Sequence, residues 1–71
     1  MKIRYSRHAL LRMSQRGISQ FDVEEALVFG TKGSAPGEIR MATHRTRIVT
    51  LVVKYQIITA QEIKIVTTYF Q

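Results

Sequence analysis

His8, Arg12 and Arg16 stand at i, i+4 and i+8, a spacing that stacks an imidazole and two guanidinium groups on one side of a helix. Ala9, Leu10 and Met13 gather on another side, so an apolar stripe backs a cationic one. Like charges stacked in this way each cost a helix a few tenths of a kcal/mol, roughly, and a sequence that keeps them suggests an anion or acid facing them. An imidazole among arginines suits a general base working beside a phosphodiester. Two plainer readings stand beside this one. His8 serves equally as a surface or packing residue, and Arg12 and Arg16 as solvated groups or partners of Asp22, Glu24 and Glu25.

Other candidates are sparser. Tyr69 and Thr67 are expected on one face of the last strand, where Tyr69 either points into a site or fills the core. His44 adjoins Arg45 and Arg47 and is a weaker candidate for a phosphate-contacting loop. Gly30, Gly33 and Gly37 lack the spacing of a phosphate loop and are read as turns. With no cysteine and only two separated histidines, neither a metal site nor a cofactor is expected.

These residues need elements to hold them. Ser6 is placed to N-cap a helix running to about Arg16, with Gly17 ending it in the left-handed conformation. Ser19 then starts a second helix, with Asp22 three positions on in a variant of the capping box and Gly30 as the stop. The stretch Gly30 to Gly37 reads as a linker dividing a helical half from a strand half. Beyond it, Ile39 to His44 alternates as a strand, and Ile48 to Val53 is apolar or β-branched on both faces, as in a central strand. Ile63, Ile65, Thr67 and Tyr69 are expected on one face of a last strand, with Lys64, Val66, Thr68 and Phe70 on the other. Lys54 to Gln61 is read as the intervening hairpin. The expectation is an α+β fold of two N-terminal helices followed by three antiparallel strands, with Ile3 and Tyr5 as a candidate fourth.

Seventy-one residues leave room for one domain and one core. So short a chain buries only about 60% of its unfolded surface, which makes a partner subunit, a second copy included, physically reasonable. Eleven Lys and Arg against five Asp and Glu give a net charge of +6, which points to RNA, DNA or an acidic protein as partner. Lys2, Arg4, Arg7, Arg12 and Arg16 crowd the N-terminal segment without one acid among them. No apolar run approaches the roughly 20 residues of a membrane span, and the start of the chain lacks a signal peptide's apolar segment. The chain is read as cytoplasmic.

The run Tyr5-Ser6-Arg7-His8-Ala9-Leu10-Leu11-Arg12-Met13-Ser14-Gln15-Arg16-Gly17-Ile18-Ser19, followed by Val23-Glu24-Glu25-Ala26-Leu27, closely resembles the opening of the small bacterial domain of unknown function 4258 family. Ile65-Val66-Thr67-Thr68-Tyr69 resembles the close of that pattern. By architecture such domains are in turn similar to the RelE and BrnT type toxins, compact metal-independent ribonucleases held silent by antitoxins, a fold-level analogy. That resemblance implies a RelE- or barnase-like small fold and an acidic antitoxin-type partner, with RNA or ribosome-bound mRNA as substrate. It carries motif positions onto His8, Arg12, Arg16, Thr67 and Tyr69. The implied chemistry is attack of a ribose 2′-hydroxyl on the adjacent phosphate, leaving a 2′,3′-cyclic phosphate. His8 would act as base or acid, Arg12 and Arg16 would bind phosphate, and Tyr69 would be a second proton donor. Arg4, Arg7, Arg40, Arg45 and Arg47 are the candidate RNA-binding residues. The alternative is a non-catalytic module that binds nucleic acid or an acidic protein through the same basic helix.

Overall fold

The computed structural model describes residues 1–71 as a two-helix layer laid on one face of a five-stranded mixed sheet. The elements run β1 (Lys2–Tyr5), α1 (Arg7–Arg16), α2 (Gln20–Phe29), β2 (Thr31–Ala35), β3 (Ile39–Arg45), β4 (Thr50–Thr59) and β5 (Glu62–Phe70). Across the sheet the order is β1-β5-β4-β3-β2. The α+β class and both helices match the expectation from sequence.

Both helices begin and end on local chemistry. The Ser6 side chain accepts from the Ala9 N–H at 2.9 Å, and Gly17 closes α1 at φ 67°, its N–H donating to the Met13 carbonyl. In α2 the Ser19 hydroxyl accepts from the Asp22 N–H while the Asp22 carboxylate accepts from the Ser19 N–H, a reciprocal capping box. Ala9 and Met13 of α1, Ile18 of the joint, and Val23 and Ala26 of α2 then bury themselves against Ala42, Leu51, Val53, Tyr55, Ile63 and Ile65 of the sheet. This is the core.

The sheet departs from expectation in four places. It has five strands rather than three or four, because β2 forms inside the glycine-containing stretch read as a linker; there it pairs antiparallel with β3 as an edge. The sheet is mixed, since β1 runs parallel to β5 while the other pairings are antiparallel. Ile48 lies outside β4 and is 91% exposed, whereas Lys54 to Thr59, read as a hairpin, continue that strand. The fourth departure bears most on function. Lys54 pairs with Thr67 and Tyr55 with Ile65, so Val66 is an extra residue in β5 and a β-bulge. The bulge reverses the alternation beyond it, putting Thr68 on the core side opposite Val53 and turning Thr67 and Tyr69 to the other face from Ile63 and Ile65.

Gly30 sits where α2 passes straight into β2, and a Cβ there would lie 2.4 Å from the Ala26 carbonyl oxygen and 2.9 Å from that of Thr43. Both obstacles are backbone. Gly17 has open space around it and requires glycine only for its positive φ. In urea unfolding, Gly17→Ala is expected to cost about 1 kcal/mol and Gly30→Ala clearly more, about 2 to 3 kcal/mol. Equal losses would mean that the Gly30 junction relaxes.

The Tyr5 hydroxyl is buried without a hydrogen-bond partner, and burial, helped by the nearby negative charge of Glu24, raises its pKa above the usual tyrosine value. The raised value means that the folded state holds this proton more tightly than the unfolded chain does. Its contribution is therefore complete below the unfolded pKa and lost as pH climbs through the folded one. Tyr5→Phe is expected to leave stability at neutral pH within about 0.5 kcal/mol, since it removes an unsatisfied group. The same variant should flatten the fall in melting temperature above about pH 10, and an unchanged alkaline fall would assign that loss to other groups.

Candidate nucleic-acid interface

Alternation along the strands sorts the cations onto two faces. Leu51, Val53 and Tyr55 of β4 point to the helices, and with them go Arg40 and His44 of β3, paired with Tyr55 and Leu51. The opposite, helix-free face receives Val52 and Lys54 from β4, Thr67, Tyr69 and Lys64 from β5, and Met41, Thr43 and Arg45 from β3. It also receives Lys2 and Arg4 from β1. Five cations, Lys2, Arg4, Arg45, Lys54 and Lys64, thus share one face with a single carboxylate, Glu62, which is engaged at 2.7 Å by Arg4. Asp22, Glu24 and Glu25 stand on α2, beyond the sheet. The helix side, by contrast, mixes these three acids with Arg7, Arg12, Arg16, Lys32 and Arg40.

Tyr69 lies on this open face beside Val52, and the Lys54 ammonium sits 5.6 Å from the centre of its ring. At that distance a cation–π contact of about 0.5 to 1 kcal/mol holds the two together. Val52 is only 1% exposed although no helix covers it, so its neighbours on the open face already form a packed floor. The face offers fixed positive charge, a phenol and the Thr67 hydroxyl around that floor.

The residues singled out on α1 have a different setting. His8 and Arg16 are exposed and Arg12 is half-buried, and no concavity of the chain is lined by any of the three. The Arg12 guanidinium donates to the Gln15 side chain at 3.0 Å, and that of Arg16 donates to the Thr68 carbonyl at 2.7 Å. They share a helix on the side of the sheet opposite the Tyr69 ring, although the Arg16 guanidinium reaches the backbone of Thr68, the residue before Tyr69. Among the candidate RNA-binding arginines, Arg4 and Arg45 stand on the open face and Arg7 on the first turn of α1. Arg40 faces the helix side, and Arg47 lies in the β3–β4 connection. Lys54 and Lys64 are not singled out by sequence, and Lys2 only as part of the cationic N-terminal segment. A lysine alternating with β-branched residues in β5 was a usable signal, but the side taken by Lys54 relative to Tyr69 depends on the bulge.

His44 stands over a small concavity of about 140 Å³ that it lines with Asp22, Glu25 and Thr46, its ring 6.5 Å from that of Phe29. No group of three or more His, Asp or Glu is placed to hold a metal ion. No helix is long and apolar enough to cross a membrane.

Together these features define a small α+β domain with a helical layer on one side and an uncovered cationic sheet face on the other. A family model described as a domain of unknown function (DUF4258) matches residues 5–70, all but the first four residues and the last, and the chain belongs to that family. No curated protein and no solved structure matches it.

Arg16 and Arg12 differ in a way that unfolding experiments can read. Arg16→Ala removes the donor to a strand carbonyl and is expected to cost about 1 kcal/mol, while Arg12→Ala, losing only an exposed side-chain contact, should stay within about 0.5 kcal/mol. Equal effects in urea titrations would argue against Arg16 as a tie to the sheet.

Proposed function

We propose that this chain is a toxin-like, metal-independent endoribonuclease that holds RNA across the open face of its sheet. One observation carries the reading: five cations against one already paired carboxylate, with Tyr69 and Lys54 in contact among them. Phosphates of a single strand would lie along Lys64, Lys54 and Arg45, and the Tyr69 ring offers a surface against which one base can stack. The plan of two helices over a short sheet is similar to that of the RelE and BrnT type toxins, an analogy of architecture that lends the reading its reaction class.

In that reaction the 2′-hydroxyl attacks the neighbouring phosphorus and the 5′-oxygen leaves. Lys54 and Arg45 would stabilise the charge gathering on the phosphorane oxygens, and the Tyr69 hydroxyl would protonate the departing oxygen. The proton of the 2′-hydroxyl would pass to solvent. An excess of positive charge on this scale also suits an acidic antitoxin-type protein as the partner that silences it.

A second reading, an RNA-binding module without cleavage, is favoured by one feature: neither histidine stands on the open face, His8 being on α1 and His44 on the helix side of β3. The two readings share an interface and differ in chemistry.

The test is cleavage of free RNA in chelator and of mRNA in a translating extract, with mapping of the 3′ ends. Cyclic-phosphate ends are expected, reduced about 10²-fold or more in Tyr69→Phe, the scale of a lost general acid, and unchanged in His8→Ala. Loss of cleavage in His8→Ala alone would move the site to α1. Intact RNA in both settings would support the module, provided that binding falls with salt at a log–log slope of about −3.5, the value for five phosphate contacts on a single strand. Flat salt dependence together with intact RNA would remove both readings.

A further inference from the structure

α2 is apolar on two sides. Val23, Ala26 and Leu27 face the core, while Phe21, Val28 and Phe29, exposed at 66, 70 and 72%, lie outward with Glu24 and Glu25. The outward set follows i, i+3, i+4, i+7 and i+8, a complete helical stripe of three large apolar residues with two carboxylates in its middle. A helix with apolar residues on opposite sides is at home between two layers, and this one has a single layer beneath it.

The same chain carries a surface of opposite character. At the end of the sheet away from α1, Met1, Leu27, Tyr55, Ile57 and Ile63 line a groove of about 340 Å³ with Lys32 at its rim. It continues into a concavity of about 400 Å³ that shares Lys32, Tyr55 and Ile57 and adds Arg40. No carboxylate lines either. Lys32 is fixed at the rim by donating to the Gly30 carbonyl at 2.9 Å.

We propose that these two surfaces meet between two copies of the chain, the outward stripe of α2 from one lying in the basic-rimmed groove of the other. Phe21, Val28 and Phe29 would fill the groove, and Glu24 and Glu25 would face Lys32 and Arg40. Packing α2 directly on its own copy would bring Glu24 and Glu25 against like charges instead, which costs rather than stabilises. The contact closes at two subunits. Leu27 lines the groove and the adjacent Val28 belongs to the stripe, so both surfaces meet at the last turn of one helix. Each copy can then give its stripe and receive its partner's in a single two-fold interface rather than an open chain. A standard interface of about 800 Å² per partner would cover about a sixth of the 4984 Å² that each chain exposes. Lys32, Arg40, Tyr55 and Ile57 all lie on the helix side of the sheet, so the dimer leaves the cationic face uncovered and does not depend on what that face binds.

Sedimentation velocity on the unaltered chain, run against concentration, is expected to show a monomer–dimer equilibrium. The paired change Glu24→Lys with Glu25→Lys makes stripe and groove both positive; Lys32→Glu with Arg40→Glu makes both negative. Each variant alone is expected to dimerise at least about tenfold more weakly, with a retained far-UV circular dichroism spectrum confirming that it folds. Mixed in equal amounts, they should recover a dimer, since every stripe then meets a groove of opposite charge. A chain that stays monomeric at every concentration would overturn the proposal, as would variants that dimerise normally or a mixture that does not recover. None of those results would bear on RNA cleavage, which the open face would keep.

Discussion

Everything in this molecule hangs on how the upper half of β5 is held after β1 stops. β1 ends at Tyr5, opposite Ile65, and leaves the edge of β5 beyond that point without a strand partner. Two side chains of the following helix segment take over. The Ser6 hydroxyl donates to the Val66 carbonyl at 3.0 Å while accepting from Ala9, and Arg16 reaches the Thr68 carbonyl from the other end of α1. A single serine thus starts the helix and anchors it to the bulge, and the helix covers the strand edge that an extra turn of β1 would otherwise have to pair. Since unpaired buried carbonyls are costly, the length of β1, the position of α1 and the bulge at Val66 are one constraint seen from three sides.

The bulge is also where sequence reading met its limit. Capping residues were legible because their chemistry is local: Ser6, Gly17 and the Ser19–Asp22 pair state where helices begin and end without reference to the rest of the chain. The Ile39 to His44 strand was legible through its alternation. β2 was not, because Thr31-Lys32-Gly33-Ser34-Ala35 is an edge with almost nothing to bury, and an edge strand with a lysine and a glycine looks like a loop. The stretch from Lys54 reads as a hairpin although it continues β4 to Thr59, because a strand running past its helical cover keeps apolar residues such as Ile57 and Ile58 in the open.

The candidate site suffered most from the same cause. An inserted residue leaves no compositional mark, yet it decides on which face every later side chain falls. Alternation without the bulge puts Tyr69 beside Ile63 and Ile65, where the helices could reach it; the actual register puts it on the open face beside Val52, with Lys54 and Thr67. Counting charges had already shown a cationic N-terminus. What it could not show was that Lys2 and Arg4 join lysines from 50 and 60 residues later, because that grouping is made by parallel pairing at the opposite end of the chain. Five of the eleven cations gather on the open face with one acid, while the helix side mixes its own cations with the three acids of α2, a distribution that the net charge of +6 conceals.

The position of β5 in the sheet orders events in time as well as in space. It lies between β1 and β4 and beneath α1, so β1 has no neighbour in the sheet until residues 62–70 take their place. The helices and the β2–β3–β4 meander can form from contacts close in sequence, but α1 has no floor until β5 is in place. Pairing between residues some 60 positions apart is slow to find. The decisive step is therefore the docking of β5, and until it pairs, Ile3, Tyr5, Ala9 and Met13 lack the strand that covers them.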